Sequence, residues 1–392
     1  MKSVPCSALW IAHAISQGGR WVHGVGLAWL VWQLSHSPLW LTLVAAAGSL
    51  PLLPLAGVAG RLADRCDRRR LLLITQAAAA LLALFAVGLS VVGLASPGWL
   101  ALIALAFGVV NAIDAPALQA LLIESGGGTS RAVARQSLVF NGTRACAPMV
   151  AVALIESGGA ALCFALNAAS FLPLMAVLAR HRAAEKTPTS SDSRPWRRRS
   201  AALRQTLPPV AVFSLLLLPC ASLLPALATG GLSSFGSMAS GLGSGALIAA
   251  LVLSWQPRLC EAARGLAAGG LVFCVALGQL AGSAALLAQW GWALLGGAAM
   301  AFALACASQN LHARAPAEQR GRWSALYLAA LLGLMPFGQL FVGALAEWLG
   351  AAHAVRLCAS GGGVLLLILM CRPQPAVGQG GRRCADAGAA QS

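Results

Sequence analysis

Two basic side chains stand one helical turn apart in the first apolar stretch of the chain, at Arg20 and His23. Residues three apart on a helix share one face, so the two would present their charge and hydrogen-bonding groups together. If the stretch crosses a membrane, burying Arg20 in lipid costs roughly 2.5–3.5 kcal/mol, and the side chain should face protein or water. The pair predicts a surface that binds an anion; a snorkelling or internally paired Arg20 is the alternative.

Two further residues in apolar stretches carry chemistry of the same kind. Arg144 is a third basic candidate for binding an anionic substrate, and Asp114 is an acid that could take up and release a proton. His23 could also carry protons, because imidazole titrates near physiological pH; a packed interior histidine is the alternative. The predicted substrate-binding residues are therefore Arg20, His23 and Arg144, and the predicted coupling residues are Asp114 and His23.

The elements that hold these residues are predicted to be membrane-spanning helices. The chain has 392 residues, 58% of them apolar, and a mean hydropathy of +0.77, outside the range of soluble domains. Apolar runs of about 20 residues, the length that crosses a bilayer as a helix, recur throughout. We predict twelve spans, with the limits 8–34, 39–59, 71–94, 98–117, 137–155, 160–179, 207–228, 238–255, 265–287, 291–311, 324–346 and 351–371.

The net charge of +16 indicates topology rather than nucleic-acid binding. Lysine and arginine occur in the tails and in the connections after even-numbered spans, whereas the connections after odd-numbered spans have none. Basic connections stay on the cytoplasmic side, so both termini are predicted to be cytoplasmic.

Composition divides the chain into two similar parts. A polar, basic linker is predicted over residues 181–206, between a six-helix bundle at 1–180 and a second at 207–371, with a disordered tail at 372–392. RLAD at 61–64 is echoed by RLCE at 258–261, and RQS at 135–137 by RWS at 322–324. Internal repeats of this kind are typical of transporters that rock one half against the other.

Residues 60–70 read GRLADRCDRRR, between the second and third predicted spans. This stretch resembles the loop at the same place in the major facilitator superfamily. The resemblance implies a latch across the cytoplasmic side of the two halves, and the predicted latch residues are Gly60, Asp64, Arg65, Arg68 and Arg69. Gly60 is expected to let its helix approach a neighbour closely. Asp67 replaces a glycine of the family pattern, which is tolerable if the turn needs no positive φ.

The resemblance covers nearly the whole chain and is closest to the enterobactin-exporter-like, transmembrane secretion effector branch. It is carried by residues 10–31, 60–76, 111–122, 135–148, 164–173 and 320–327. The implied fold is all-α, with twelve helices as two six-helix bundles related by pseudo-two-fold symmetry. Two departures bear on function: Leu118 replaces an arginine of the family pattern, and Ala147, Ala151 and Val152 replace glycines, which predicts looser helix packing there.

The function that the resemblance implies is secondary active export of a small molecule such as a siderophore across a bacterial inner membrane, by alternating access and proton antiport. Arg20 and Arg144 favour an anionic cargo. Multidrug efflux is the alternative, and a membrane sensor that binds without transporting is a third hypothesis. No GxxxxGK[ST] loop for ATP is present in the sequence. We predict no enzymatic activity, no cofactor and no metal; the expected partners are cargo, protons and lipid, and the expected state is a monomer.

Overall fold

The computed structural model describes residues 6–125, 129–180, 201–261, 265–315 and 319–371. Every regular element in these ranges is helical. The helices are α1 Cys6–Ser35, α2 Pro38–Ser49, α3 Leu52–Arg65, α4 Arg68–Val91, α5 Pro97–Ser125, α6 Thr129–Gly158, α7 Ala160–Arg180, α8 Ala201–Val212, α9 Leu224–Leu227, α10 Gly231–Trp255, α11 Gly265–Leu280, α12 Leu286–Arg314, α13 Arg320–Leu328, α14 Met335–Leu349 and α15 Ala351–Cys371. Three turns of 3-10 or π helix connect or extend them, at Phe213–Leu217, Leu218–Leu223 and Ala329–Gly333, and a further 3-10 turn follows α10 at Pro257–Glu261.

Ten stretches in the described part of the chain are long and apolar enough to cross a membrane. Two predicted spans are not among them: α1 is long enough but less apolar, and α11 has 16 residues. The chain is thus a multi-pass membrane protein, while the number of twelve spans stays a prediction. Helix α8 begins at Ala201, so the last six residues assigned to the linker are helical; residues 181–200 and 372–392 lie outside the description.

The helices before and after the linker are here named the first half (residues 6–180) and the second half (201–371). One apolar cluster joins the start of α1, the start of α4 and the ends of α5 and α7, with Leu9, Leu72, Leu122 and Leu178 at its centre. In the second half, the start of α8, the end of α12 and the start of α13 form a corresponding cluster. These clusters mark the basic end of the molecule, and the opposite end is named the far end.

The second half contains two irregular stretches that pack on each other. Proline lacks a backbone donor at 219, between α8 and α9, and at 225, in the first turn of α9. The stretch between the two helices is π-helical at Phe213–Leu217 and 3-10 at Leu218–Leu223. The other π turn, Ala329–Gly333, separates α13 from α14. The hydroxyl of Ser214 donates a hydrogen bond to the carbonyl oxygen of Leu331, 2.6 Å away, which ties one π turn to the other.

The two halves meet closely where glycine removes a side chain. A Cβ at Gly243 of α10 would lie 2.5 Å from the carbonyl oxygen of Arg144 in α6, and one at Gly236 would lie 2.4 Å from Val152. The predicted looser packing of α6 is therefore wrong. The glycines that allow close approach stand on α10 instead of on α6, and the contact between the two helices is tight.

Candidate functional site

A cavity of about 560 Å³ lies between the two halves. Its wall comes from α1, α2, α4, α5, α6 and α7 of the first half, and from residues 218–225, α10 and Met335 of the second. Most of the wall is apolar. The polar side chains that line it are Gln17, Arg20, His23, Asn111, Arg144, Asn167 and Ser222. The three predicted substrate-binding residues are thus brought to one chamber.

Arg20 is held by a buried carboxylate. Its Nη2 lies 2.9 Å from Oδ2 of Asp114, and its Nη1 donates to Asn111 Oδ1 at 3.0 Å. The other oxygen of Asp114 accepts hydrogen bonds from Thr75 Oγ1 at 2.8 Å and Gln76 Nε2 at 2.9 Å. The Asp114 side chain is 1% exposed and that of Arg20 is 22% exposed. A buried carboxylate needs such partners, and here both of its oxygens have them.

The ion pair compensates for one departure from the superfamily pattern. Leu118 stands where that pattern has an arginine, and it is buried in the apolar cluster at the basic end. The positive charge that faces Asp114 comes instead from Arg20 on α1. The internal pair considered for Arg20 is therefore present, and its charge is compensated.

Arg144 has a different environment. Its guanidinium lies 5.7 Å from the ring centroid of Trp21, a cation–π contact. No described residue accepts a hydrogen bond from it or forms an ion pair with it, although both Arg144 and Trp21 line the cavity. The wall thus has one cation without a counter-charge among the described side chains.

His23 is buried between two aromatic rings, with centroid distances of 4.8 Å to Phe107 and 4.7 Å to Phe164. Neither ring nitrogen has a hydrogen-bond partner in the described part of the chain. The histidine is therefore interior, as the alternative reading held, but its polar atoms are not satisfied. Ring contacts fix the plane of the imidazole at the edge of the cavity.

Asn167 of α7 was not among the predicted site residues. It lines the cavity, it is fully buried, and neither its amide nitrogen nor its amide oxygen has a partner among the described residues. A polar amide in the middle of an apolar span was a signal in the sequence. Its position became informative only once α7 was placed against α1.

The predicted latch residues that the structure describes bind within the first half. Arg68 pairs with Glu124 at the end of α5. Arg69 donates through Nε to the carbonyl oxygen of Leu178 at 2.8 Å, and it also bonds the carbonyl of Ala179, so it caps the end of α7. Two arginines at the basic end therefore hold neighbouring helix ends together.

Asp67 caps the start of α4 with its side chain, which the glycine of the superfamily pattern could not do. Its backbone has φ −63° and ψ 111°, and its carboxylate accepts a hydrogen bond from the backbone nitrogen of Arg69. Asp67 is thus the N-cap of α4, and the expectation that its turn needs no positive φ is confirmed.

The prediction for Gly60 is wrong. A Cβ built there meets nothing within 4 Å, so the glycine does not permit a close approach to a neighbouring helix. The side chains of Asp64 and Arg65 lie outside the described residues, and their part in a latch stays a prediction.

The far end is closed by a contact between the halves that the sequence did not reveal. Oε2 of Glu347, at the end of α14, accepts hydrogen bonds from Ser37 Oγ at 2.7 Å and from the backbone nitrogen of Leu39 at 3.1 Å. It therefore caps α2 across the two halves, together with Ser37 itself. Glu347 is exposed, and it also joins the halves.

Replacing Glu347 with alanine is expected to loosen the far end. Loss of an N-cap costs about 1 kcal/mol, which corresponds to roughly a fivefold change in the open population. A cysteine introduced at Ala28 in the cavity wall should then react roughly fivefold faster with an impermeant maleimide that arrives from the far end. Glu156, exposed at the end of α6, provides the control: Glu156→Ala should leave the rate unchanged. Equal rates in both variants would refute a role for Glu347 in closure.

A chamber between two sets of membrane-spanning helices, with a buried ion pair in its wall, is the arrangement of a membrane transporter. A bacterial homologue of the human lysosomal transporter Spinster, in an inward-facing and occupied conformation, has a TM-score of 0.71 at 14% identity, over 93% of this chain and 94% of that one. A bacterial homologue of the iron transporter ferroportin, in an inward-facing state, has a TM-score of 0.70 at 16% identity, over 94% and 98%. The fold is that of the major facilitator superfamily.

The chain belongs to the transmembrane secretion effector family, whose model matches residues 4–377. The Staphyloferrin A transporter of Staphylococcus aureus (strain NCTC 8325 / PS 47) is 28% identical over 178 residues, which are 44% of this chain and 45% of that protein. The match thus spans less than half of the length of that relative. The family and the similar structures are transporters rather than enzymes.

Proposed function

We propose that the protein is a proton-coupled exporter of a small organic anion such as a siderophore, working by alternating access. The observation that carries the proposal is Arg144, a cation at the cavity wall with no acceptor among the described residues. A carboxylate is the group that a guanidinium binds best, through parallel charge-assisted hydrogen bonds. The cargo would supply that carboxylate.

The charges of the wall favour an acidic cargo. Arg20 and Asp114 compensate each other, so Arg144 leaves the described wall with a positive surplus. A relative that is named for the transport of staphyloferrin A, matched over part of its length, supports a siderophore as the cargo.

Proton coupling would operate through the Arg20–Asp114 pair, 2.9 Å apart. An ionised Asp114 holds Arg20, whereas a protonated Asp114 has no charge with which to do so. In an antiport cycle, cargo leaves while the pair is intact, and the empty carrier returns with Asp114 protonated. His23, the other predicted coupling residue, is a second proton site in this proposal; its ring nitrogens have no partner among the described residues that would hold a proton in place.

Alternating access is supported by the closed far end. Glu347 caps α2 across the halves there, and the ring of Trp29 in α1 stacks on that of Phe235 in α10 at 5.8 Å. Arginines at the basic end, among them Arg68 and Arg69, favour its placement on the cytoplasmic side of a bacterial inner membrane. Both termini would then be cytoplasmic, the cargo would enter from the cytoplasm, and the protein would work as a monomer.

Multidrug efflux is the second candidate, and the apolar wall favours it. Phe107, Phe235 and Leu242 line the cavity, and such surfaces bind many hydrophobic compounds through contact area alone. The two candidates differ in the cargo's charge, because efflux of hydrophobic drugs would not need Arg144.

Uptake into everted membrane vesicles with an imposed pH gradient distinguishes the candidates. A labelled carboxylate siderophore should accumulate, and Arg144→Gln should lower its apparent affinity about tenfold or more, because a charge-assisted hydrogen bond is lost. Arg356→Gln is the matched control: this exposed arginine is outside the cavity wall, so uptake should be unchanged.

Accumulation of cationic dyes without the acid would reverse the ranking in favour of multidrug efflux. Binding of the siderophore without accumulation under any imposed gradient would identify a sensor and refute transport. Collapse of the pH gradient with no effect on uptake would contradict proton coupling.

A further inference from the structure

Two of the side chains at the cavity wall have two polar atoms each and leave both of them without a partner in the described part of the chain. Both atoms of the Asn167 amide and both ring nitrogens of His23 are in this state within the described part of the chain, and the residues are 0% and 6% exposed. Buried polar groups are nearly always hydrogen-bonded, because leaving one unpaired destabilises the protein. Two such residues in one wall therefore point to a partner that is not part of the chain.

The packing of α1 against α7 places the two residues beside each other on the wall. A Cβ at Gly19 would lie 3.2 Å from the Cα of Asn167 and 2.1 Å from Ser170 Oγ, so glycine is what allows α7 to come this close. His23 lies one turn after Gly19 on α1. It contacts Phe164, which lies one turn before Asn167 on α7.

The remaining polar features of the wall decide what the partner is. Arg144 offers one positive charge without a counter-ion, while the charge of Arg20 is taken up by Asp114. Asn167 and His23 add neutral donors and acceptors, and Trp21 and Phe107 add aromatic surface. The site therefore combines one cation, the neutral hydrogen-bonding groups of Asn167 and His23, the unpaired indole N–H of Trp21 and apolar walls.

We propose that Arg144, His23 and Asn167 form a recognition site for an organic monoanion that carries a separate hydroxyl or amide group on an apolar or aromatic body. Arg144 binds the acidic group, and the amide of Asn167 with the imidazole of His23 binds the neutral polar group. This inference rests on the proposed function and deepens it, because it names the class of cargo and adds Asn167 to the residues that select it. A second negative charge on the cargo should add little affinity, because Arg20, the other cation of the wall, is already paired with Asp114.

The test uses three probes whose sulfonates stay ionised, at a neutral pH where the phenol keeps its proton: benzenesulfonate, 4-hydroxybenzenesulfonate and 1,3-benzenedisulfonate. Dissociation constants are obtained from the ligand dependence of thermal unfolding, followed by tryptophan fluorescence of the full chain in lipid nanodiscs. The hydroxylated probe should bind about fivefold more tightly than benzenesulfonate, because one neutral hydrogen bond contributes about 1 kcal/mol to the free energy of binding. The disulfonate should bind no more tightly than benzenesulfonate.

Three variants test which residue binds the acidic group of the probe and which residues bind its hydroxyl group. Asn167→Leu and His23→Leu should each reduce the preference for the hydroxylated probe while leaving the affinity for benzenesulfonate unchanged. Arg144→Gln should weaken both probes about tenfold or more. Asn141→Leu is the matched control: this asparagine bonds its own helix at Ser137 and does not line the cavity, so the preference should persist.

Equal affinities for the hydroxylated and plain probes, tighter binding of the disulfonate, or no binding of any probe would overturn the site. So would an unchanged preference in Asn167→Leu, which would mean that ordered water alone satisfies the amide. The probes are also compared on the unaltered protein, so the site can be tested even if a variant does not fold. Binding is measured without a gradient, so failed vesicle transport with the probe order retained would refute the proposed function and leave this site standing.

Discussion

Replacing Arg20 with methionine is expected to destabilise the protein by about 3–5 kcal/mol, the cost of leaving one member of a buried ion pair without the other. Asp114 would keep its bonds to Thr75 and Gln76 but lose its only ion-pair partner among the described side chains, at 1% exposure. Methionine is an unbranched side chain without a charge, so the lost free energy of unfolding reflects the missing charge more than missing packing contacts. Thermal unfolding of the purified protein measures it.

A double substitution shows whether the lost stability comes from the broken ion pair or from the change of side chain at Arg20. In Arg20→Met/Asp114→Asn, the asparagine keeps an oxygen for Thr75 and Gln76 and carries no charge, so most of the lost stability should return. Asp114→Asn alone should cost less than Arg20→Met, because Arg20 is 22% exposed at the cavity wall and keeps Asn111 as a partner. Additive losses in the double variant would show that the two side chains are not coupled.

Gly243→Ala is expected to destabilise the protein by about 1–3 kcal/mol, the range for overpacking a tight contact. The new Cβ would lie 2.5 Å from the carbonyl oxygen of Arg144 and 2.7 Å from the Cα of Ala145. Both are backbone atoms, so relief requires α10 to move away from α6. Because Arg144 projects from this crossing, its place in the cavity wall should shift, and affinity for an anionic probe should fall with the unfolding temperature.

The control for this prediction is Gly142→Ala, one turn away on α6. A Cβ at Gly142 meets no described atom within 4 Å, so the unfolding temperature should stay unchanged or rise slightly, because alanine favours a helix more than glycine does. If both alanine variants unfold alike, the close contact between α6 and α10 does not exist in solution. If Gly243→Ala lowers stability but leaves anion binding intact, Arg144 is not positioned by the crossing.

The fold could be predicted from the sequence because its signals are local and repeated. Runs of apolar residues mark helices whatever their neighbours are, and a motif such as residues 60–70 is recognisable by type and spacing. The prediction erred where it depended on contacts between helices. Gly60 was assigned a close approach that does not exist, and the glycine-poor stretch of α6 was expected to pack loosely, although Gly236 and Gly243 of α10 make the contact tight.

In the candidate site, too, local signals could be predicted from the sequence and contacts between helices could not. A charged residue within an apolar span is informative alone, so Arg20, Arg144 and Asp114 were identified, and all three lie at or beside the cavity. Which arginine keeps a free charge could not be predicted, because the pairing joins residues 94 positions apart. Glu347 resembled any interfacial acid until its carboxylate was seen to bond Leu39, 308 positions away.

The paired π turns of the second half have a mechanical consequence. A π turn leaves its helix with one residue more than a regular α-helical path needs, and such turns are places where helices bend. The bond from Ser214 to Leu331 and the contact of Gly338 with the backbone of Leu215 join the two bending points. We therefore expect the two helices to bend together at this place rather than separately.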